Sequence, residues 1–440
     1  MAACVASQNF VVAICNDSFL IAKKGCSTIE VFTCERESKQ ETETPLNPET
    51  GDGDAIQDGK EKILTHALSH NDKYYAICDD FKKLRLYATH PEWKKISSRS
   101  VARRATAIVF THDLSQVLVA DKSGDVYSFS LTDLNKPGEL LCGHLSMLLD
   151  MAITSNGRYI ITADRDEKIR VGHYPNAYNI AGFCLGHEEF VSKLLILKDD
   201  ILVSGAGDGT VRFWNLETFQ ELYCLDCAQD LPSEMHSSEN TQVAVKAMQF
   251  FTKYDILAVA ADSYPVILFY KVVWSAGNVV VEKVNTMRLS QPPWDMQLQG
   301  DILWVLQPVE GDTIVPYSVS YKQEDFQVEK TSDKKTIELA ETVNKNWDFF
   351  KGSVGQESNF QLLFKAYKNR KDNMQDYLER KRQRLAQTPL KKEKQSRRNK
   401  QRRRKEKEGD AAEKEGSEDV EGGTNSDSIA EPEPKILKAS

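Results

Sequence analysis

A strand, turn and strand unit recurs along this chain at intervals of 42 to 55 residues, and no other feature narrows the possible folds as far. Val117–Leu131 (VLVADKSGDVYSFSL) reads strand, polar turn, strand, and Tyr159–Tyr174 (YIITADRDEKIRVGHY) and Ile201–Leu216 (ILVSGAGDGTVRFWNL) repeat it. With the first apolar residue after each turn as the marker, the series is Ile29, Leu84, Val126, Ile169, Val211, Val266 and Ile314. The gaps are 55, 42, 43, 42, 55 and 48 residues. Between markers lie short runs of Val, Ile, Leu, Phe and Tyr bounded by Gly, Asp, Asn or Ser, with no helical period. Short strands at this spacing predict seven propeller blades over residues 1–345. The two long gaps coincide with polar stretches at 35–60 and 229–241, which lack apolar residues to pack and read as loop insertions.

Composition sets the compartment and the charge. The 440 residues carry 57 Lys and Arg against 65 Asp and Glu, a net charge of −8. No apolar run is long enough to span a membrane and the N-terminus has no basic leader, so neither membrane insertion nor secretion is expected. Nine scattered cysteines, mostly inside apolar runs, suit buried thiols in a reducing compartment. The charge is uneven: residues 380–407 carry +13 and 408–440 carry −7, which leaves −14 on residues 1–379. Such a body repels phosphate over most of its surface, so nucleic-acid contact is expected from the tail or from a partner.

Gly143-His144 and Gly186-His187 precede their turns by similar intervals, and Trp214-Asn215 stands where a Trp-Asp pair would fall. This resembles the WD-repeat family, in which a His, a strand Ser or Thr, a turn Asp and a Trp form a buried hydrogen-bonded set. His187, Ser204, Asp208 and Trp214 match it in full; His144, Thr162 and Asp166 match in part, with Gly172 in place of the Trp.

Chemistry is sparse. Gly205, Gly207 and Gly209 have the wrong spacing for a dinucleotide loop and no helix follows, so they read as a tight strand-to-strand turn. Cys224 and Cys227 form a lone CxxC without a second pair of ligands. No nucleophile elbow, HExxH or paired-carboxylate pattern occurs, and neither metal nor cofactor is expected on this chain. What remains is a surface. Turns of successive blades lie side by side, which sets Asp121 and Lys122 beside Asp164, Arg165, Asp166, Glu167 and Lys168, with Arg170 following. Alternating signs favour a complementary protein over phosphate, against the plain alternative of a solvated turn. Arg85, Arg170 and Arg212 each follow a marker directly and should sit equivalently, paired to a carboxylate within the blade or across an interface.

Beyond the repeats, Phe360, Leu363, Phe364, Tyr367, Met374, Tyr377, Leu378 and Leu385 fall at helical spacings, which predicts an amphipathic helix over 358–387 packed on the propeller. Residues 388–440 form a charged tail too poor in apolar side chains to fold alone. Its basic run holds Lys391, Lys392, Lys394, Arg397, Arg398, Arg402, Arg403, Arg404 and Lys405. Two uses compete for it: nuclear import, or an arm that grips RNA phosphates.

Four strings in this order, VADKSGDV at 119–126, GHLSMLLD at 143–150, TADRDEKIR at 162–170 and LGHEEFVS at 185–192, carry a closer resemblance. The chain resembles the family of WD-repeat non-catalytic subunits of tRNA guanine-N7 methyltransferases. That resemblance implies an all-β, seven-bladed propeller that does no chemistry. It would bind and stabilise a separate catalytic subunit as a heterodimer, with S-adenosylmethionine on that partner and 7-methylguanosine formed in the variable loop of tRNA. It also implies that tRNA is reached mainly through the complex. The buried thiols and the basic run, for their part, favour the nucleus, with the cytoplasm as a second compartment. Lys122, Arg165, Asp166, Glu167, Lys168 and Arg170 become the expected partner interface, Arg170 foremost. A general WD-repeat adaptor, such as a ubiquitin-ligase substrate receptor, is the alternative.

Overall fold

The computed structural model describes residues 2–34 and 62–356, apart from 199, 233, 235–242, 276–277 and 323–324, together with residue 363. They belong to one compact unit, residues 1–365; a second, 366–440, lies outside the described residues, as do the expected helix 358–387, save residue 363, and the charged tail.

Seven four-stranded antiparallel sheets follow one another, each made of consecutive strands. Blade 1 holds β1 to β4 (Ala2–Ala6, Phe10–Cys15, Ser18–Lys23, Ile29–Thr33), and blade 2 holds β5 to β8 (Ile63–Leu68, Tyr74–Asp79, Lys83–Ala88, Lys94–Ser100). Blade 3 holds β9 to β12 (Ala105–Phe110, Gln116–Asp121, Asp125–Ser130, Glu139–Gly143), and blade 4 holds β13 to β16 (Leu148–Ile153, Tyr159–Asp164, Ile169–His173, Ile180–Cys184). Blade 5 holds β17 to β20 (Val191–Lys198, Ile201–Ala206, Thr210–Asn215, Glu221–Asp226), and blade 6 holds β21 to β24 (Val245–Phe251, Ile256–Ala261, Val266–Ser275, Asn278–Arg288). Blade 7 holds β25 to β28 (Asp295–Gln299, Ile302–Leu306, Ile314–Lys322, Asp325–Lys330). The first strands of neighbouring blades adjoin from blade 2 to blade 7, one apolar cluster joins blade 1 to blade 2, and β25 adjoins β1 to close the ring.

The second strand of a blade is covered on both faces by the blades beside it. It therefore reads as a continuous apolar run instead of an alternating one. FVVAIC in β2, YIITAD in β14, ILVSGA in β18 and ILAVAA in β22 are buried throughout. The third-strand markers of blades 2 to 7 open β7, β11, β15, β19, β23 and β27, but Ile29 opens β4, the fourth strand of blade 1. The reason is local. Asn16 and Asp17 form a two-residue turn inside the apolar run from Phe10 to Lys23, with Asn16 in the left-handed region at φ 54° and no glycine to announce it.

Closure of the ring uses no exchanged strand. At the inner rim the Cys4 N–H donates to Asp295 Oδ2 across the seam (3.0 Å), as the Leu194 N–H does to Asp150 Oδ2 between blades 4 and 5 (2.8 Å). Outside the rim, the stretch after β28, read above as part of the last blade, turns into helix α1 (Lys334–Asn344). Asp333 caps it by accepting from the Thr336 N–H (3.0 Å) and hydroxyl (2.6 Å). Leu339, Ala340 and Val343 pack in one cluster with Val11, Ala13, Cys15 and Leu20 of blade 1 and Trp304, Leu306 and Ile314 of blade 7. Asn344 exchanges two hydrogen bonds with the Ile314 backbone (2.8 and 3.1 Å). Helix α2 (Trp347–Phe350) then buries Phe350 against Trp294, and Ser353 Oγ lies 3.0 Å from Cys15 Sγ. The helix is a latch over the seam between the first and last blades.

Blade 5 is tied internally. His187 Nε2 is 2.7 Å from Ser204 Oγ, His187 Nδ1 is 3.0 Å from Asp208 Oδ2, and Trp214 Nε1 donates to Ser204 Oγ at 2.8 Å. Burial alone would raise the Asp208 carboxyl. The hydrogen bond and charge of His187, the Glu188 N–H and the Thr210 hydroxyl outweigh it and hold the carboxyl at about 2. In blade 4 His144 Nε2 meets Thr162 Oγ1 at 2.9 Å, and Gly172 replaces the Trp.

Two outcomes follow. Leu339→Ala or Val343→Ala should cost about 2–4 kcal/mol by thermal or chemical denaturation, while Glu338→Ala, on the exposed side of the same helix, should stay within about 0.5 kcal/mol. A carboxyl depressed in the folded state stabilises above its ordinary range, and that contribution fades as pH falls through the folded value. Asp208→Asn should therefore destabilise by about 2 kcal/mol at neutral pH, and the gap to wild type should close as pH drops from about 4 towards about 2.

Candidate partner interface

The turns joining second to third strands and the loops joining successive blades share one face. At blade 4 the turn is built on Asp164, the last residue of β14, whose Oδ1 accepts the Asp166 N–H (2.9 Å) and the Lys168 N–H (3.0 Å). Burial pushes this carboxyl up, opposed by the same N–H groups and by Lys168. Arg165 donates its backbone N–H to Met147 O (2.9 Å), which ties the turn to the loop after β12. The same loop is tied to blade 3, where the His144 N–H donates to Gly124 O (2.8 Å). Asp121 repeats the Asp164 device there, accepting from the Ser123 N–H (2.8 Å) and the Asp125 N–H (3.1 Å). Lys122 and residues 165–168 are thus neighbours across one shared loop.

Each expected interface residue has a distinct setting. Lys122 and Lys168 are exposed, and Lys168 Nζ donates to Asp166 O at 3.2 Å. Arg165 Nε is 3.6 Å from Asp166 Oδ1. Glu167 occupies the left-handed region at φ 66°, the turn position held by Gly124 in blade 3 and Gly209 in blade 5. A Cβ at Gly124 would lie 2.6 Å from two carbonyl oxygens, so glycine is required there, whereas Glu167 keeps its side chain at a backbone cost of about 1 kcal/mol. Arg170 turns inward: Nη1 donates to Gly143 O (2.9 Å) and Nη2 to Ala177 O (3.2 Å), stapling blade 4 to the loop from blade 3. Burial, with the Arg170 charge, holds His144 down at about 4, so it is neutral at physiological pH.

The two other arginines at this strand position also serve their own blades. Arg85, 3% exposed, places Nε 2.9 Å and Nη2 2.8 Å from Asp79 Oδ2 in a buried pair, and Arg212 pairs with Glu221 on the adjoining strand. Gly207 serves packing, since a Cβ there would meet the Phe190 ring at 2.6 Å. Lys391, Lys392, Lys394, Arg397, Arg398, Arg402, Arg403, Arg404 and Lys405 lie outside the described residues.

Charge-based reading overlooked two apolar side chains. Leu145, at the tip of the shared loop, is 108% exposed, and Leu185, next to the Cys184 that pairs with Ile169, is 63% exposed. Leu145 follows one Gly-His pair and Leu185 precedes the other, so the signal was a leucine inside a polar turn. Exposed leucines beside balanced charges make this patch suited to a protein.

The comparisons agree on family. The model of the tRNA methyltransferase TRM82 WD40 domain matches residues 30–139 and 132–339. The tRNA (guanine-N(7)-)-methyltransferase non-catalytic subunit wdr4 of Danio rerio is 38% identical over 361 residues, covering 81% of this chain and 85% of the relative. The Homo sapiens subunit WDR4 is 34% identical over 365 residues (82% and 84%), and the Drosophila grimshawi subunit wuho is 32% identical over 345 residues (76% and 84%). Among solved structures, U3-55K superposes with a TM-score of 0.56 at 15% identity, covering 69% of this chain and 87% of that one, which speaks for the fold alone. The chain belongs to the family of WD-repeat non-catalytic subunits of tRNA guanine-N7-methyltransferase.

Proposed function

We propose that this chain seats a separate tRNA guanine-N7-methyltransferase on the blade 3 and blade 4 face, and that it contributes to catalysis by holding that partner in its active conformation. The observation that carries the reading is the patch itself: a sign-balanced turn, residues 165–168, beside exposed Leu145 and Leu185. Leucines supply the burial that drives association, while Arg165, Asp166, Glu167 and Lys168 reject partners of the wrong charge pattern. A bound propeller lowers the free energy only of the partner conformation it fits, so the catalytic site and the RNA-contacting elements are populated in their working arrangement. S-adenosylmethionine belongs to the partner on this reading, and guanine N7 in the variable loop of tRNA is the methylated atom.

Arg170 is the wrong residue for a clean test, because reversing its charge also breaks the two bonds that staple blade 4. Lys168→Glu and Leu145→Asp alter exposed side chains and should leave the unfolding temperature unchanged while weakening the methyltransferase about 10- to 100-fold in a calorimetric titration. Wild-type affinity in both variants would remove this face from the interface. Glu167→Gly should raise stability by up to about 1 kcal/mol by relieving the left-handed side chain, yet weaken partner binding by losing the carboxylate; unchanged binding would assign Glu167 to the turn alone.

A further inference from the structure

We propose that a cleft at the seam between blades 1 and 7 binds a small dicarboxylic acid, which clamps the closed ring. The cleft has a volume of about 220 Å³, and its walls come from three separate parts of the chain: Ser7 and Lys24 of blade 1, Gln299 and Trp304 of blade 7, and Lys335 and Thr336 of α1. The turns from first to second strands, which hold Ser7 and Gln299, lie at the end of the blades opposite the partner patch, so the site does not depend on that patch. Each wall is fixed by local bonds. Ser7 Oγ accepts from the Asn9 N–H (3.1 Å) and the Phe10 N–H (3.2 Å), and the Lys24 N–H donates to Asn9 O (2.8 Å). Gln299 pairs with Ile302 across a tight turn in which Gly300 takes a φ of 60°, and Asp333 caps the helix that forms the third wall.

The floor of the cleft carries an unanswered donor. Trp304 is 1% exposed, it lines the cleft, and its Nε1–H has no acceptor among the described residues. A buried N–H without an acceptor is costly, and a Phe or Leu would fill the same apolar cluster without that cost. An indole here gains a use once a ligand supplies an oxygen. Positive charge stands at the mouth. Lys24 and Lys335 are exposed, and the start of α1 adds the positive end of its dipole. The hydroxyl and N–H of Thr336 hold the Asp333 carboxyl below its ordinary range, and the Lys24 charge adds to them, which places Lys24 beside the helix start. Asp333, the one acidic residue among the described lining, is already engaged by Thr336. A donor at the floor and two ammonium groups at the mouth call for an anion with acceptors at both ends, which a dicarboxylate has and a compact ion such as phosphate lacks. At about 30 Å³ per water molecule the cleft has room for such an acid. Its contacts span blade 1, blade 7 and the latch, so binding stabilises the closed ring over the unfolded chain.

The test uses the full chain with succinate, glutarate and inorganic phosphate, each at the same ionic strength. Succinate or glutarate should bind saturably in a calorimetric titration and raise the unfolding temperature by about 2–5 °C at a hundredfold excess over the dissociation constant. In a heteronuclear NMR spectrum the Trp304 indole N–H signal, assigned by its loss in Trp304→Phe, should shift during the titration, a response that stabilisation by salt in general does not give. Trp304→Phe, and Lys24→Gln combined with Lys335→Gln, should each bind the acid about tenfold more weakly while keeping the unfolding temperature of the ligand-free chain. The lysine variant changes exposed side chains and decides alone if Trp304→Phe does not fold. No saturable binding of either acid, or wild-type affinity in the lysine variant, would overturn the site. Equally tight binding of phosphate would make it a single-anion site and overturn the dicarboxylate assignment.

Discussion

Everything on the functional face depends on how the ring is shut. Each blade is made of consecutive strands, so no strand is shared between the chain's two ends, and the seam between blades 7 and 1 must be held by side chains. Helix α1 supplies them, with Leu339, Ala340 and Val343 filling one cluster from both blades and Asn344 satisfying the Ile314 backbone. The Cys4 to Asp295 bond closes the inner rim with the same Asp-to-strand device used between blades 4 and 5. A closed ring fixes each blade against two neighbours, and only then do turns from different blades hold a constant spacing. A rigid face is what lets a non-catalytic subunit bias a partner's conformation.

The face is assembled from short-range devices. Asp121 and Asp164 end their strands and gather the N–H groups of the turns that follow, which fixes where Lys122, Arg165 and Lys168 emerge. The loop 143–147 joins the two turns and presents Leu145. Three arginines at one strand position have been put to three internal uses: a buried carboxylate pair, a pair of backbone carbonyls, and a cross-strand glutamate. The repeat fixes where such a side chain stands, and its neighbours decide what it does.

How much of this was legible follows from range. The period and the continuous apolar second strands are local properties, and they place six of the seven third strands correctly. Blade 1 slips by one strand because Asn16-Asp17 turns the chain without Gly or Pro. The set His187, Ser204, Asp208 and Trp214 was legible through the resemblance to the WD-repeat family, and its atoms lie within hydrogen-bonding distance. Turn capping by Asp164, two residues before the Asp166 singled out by motif, depends on φ and ψ that no motif states. The latch over 334–344 falls within the span read as the last blade, despite the helical spacing of Ile337, Ala340 and Val343, and its contact with blade 1 joins residues more than 300 apart in sequence. Leu145 and Leu185 required the fold, since exposure is not a property of a segment.

The central claim is that this chain works by holding a catalytic partner, and the direct measurement is methyl transfer from S-adenosylmethionine to guanine N7 of a tRNA transcript. It should be assayed with the methyltransferase alone, with this chain alone, and with both at equal concentration. The account predicts no transfer by this chain, little by the methyltransferase and a large increase for the pair, with a common saturation at one chain per partner. Transfer by this chain alone, or a methyltransferase whose rate is indifferent to its addition, would contradict it.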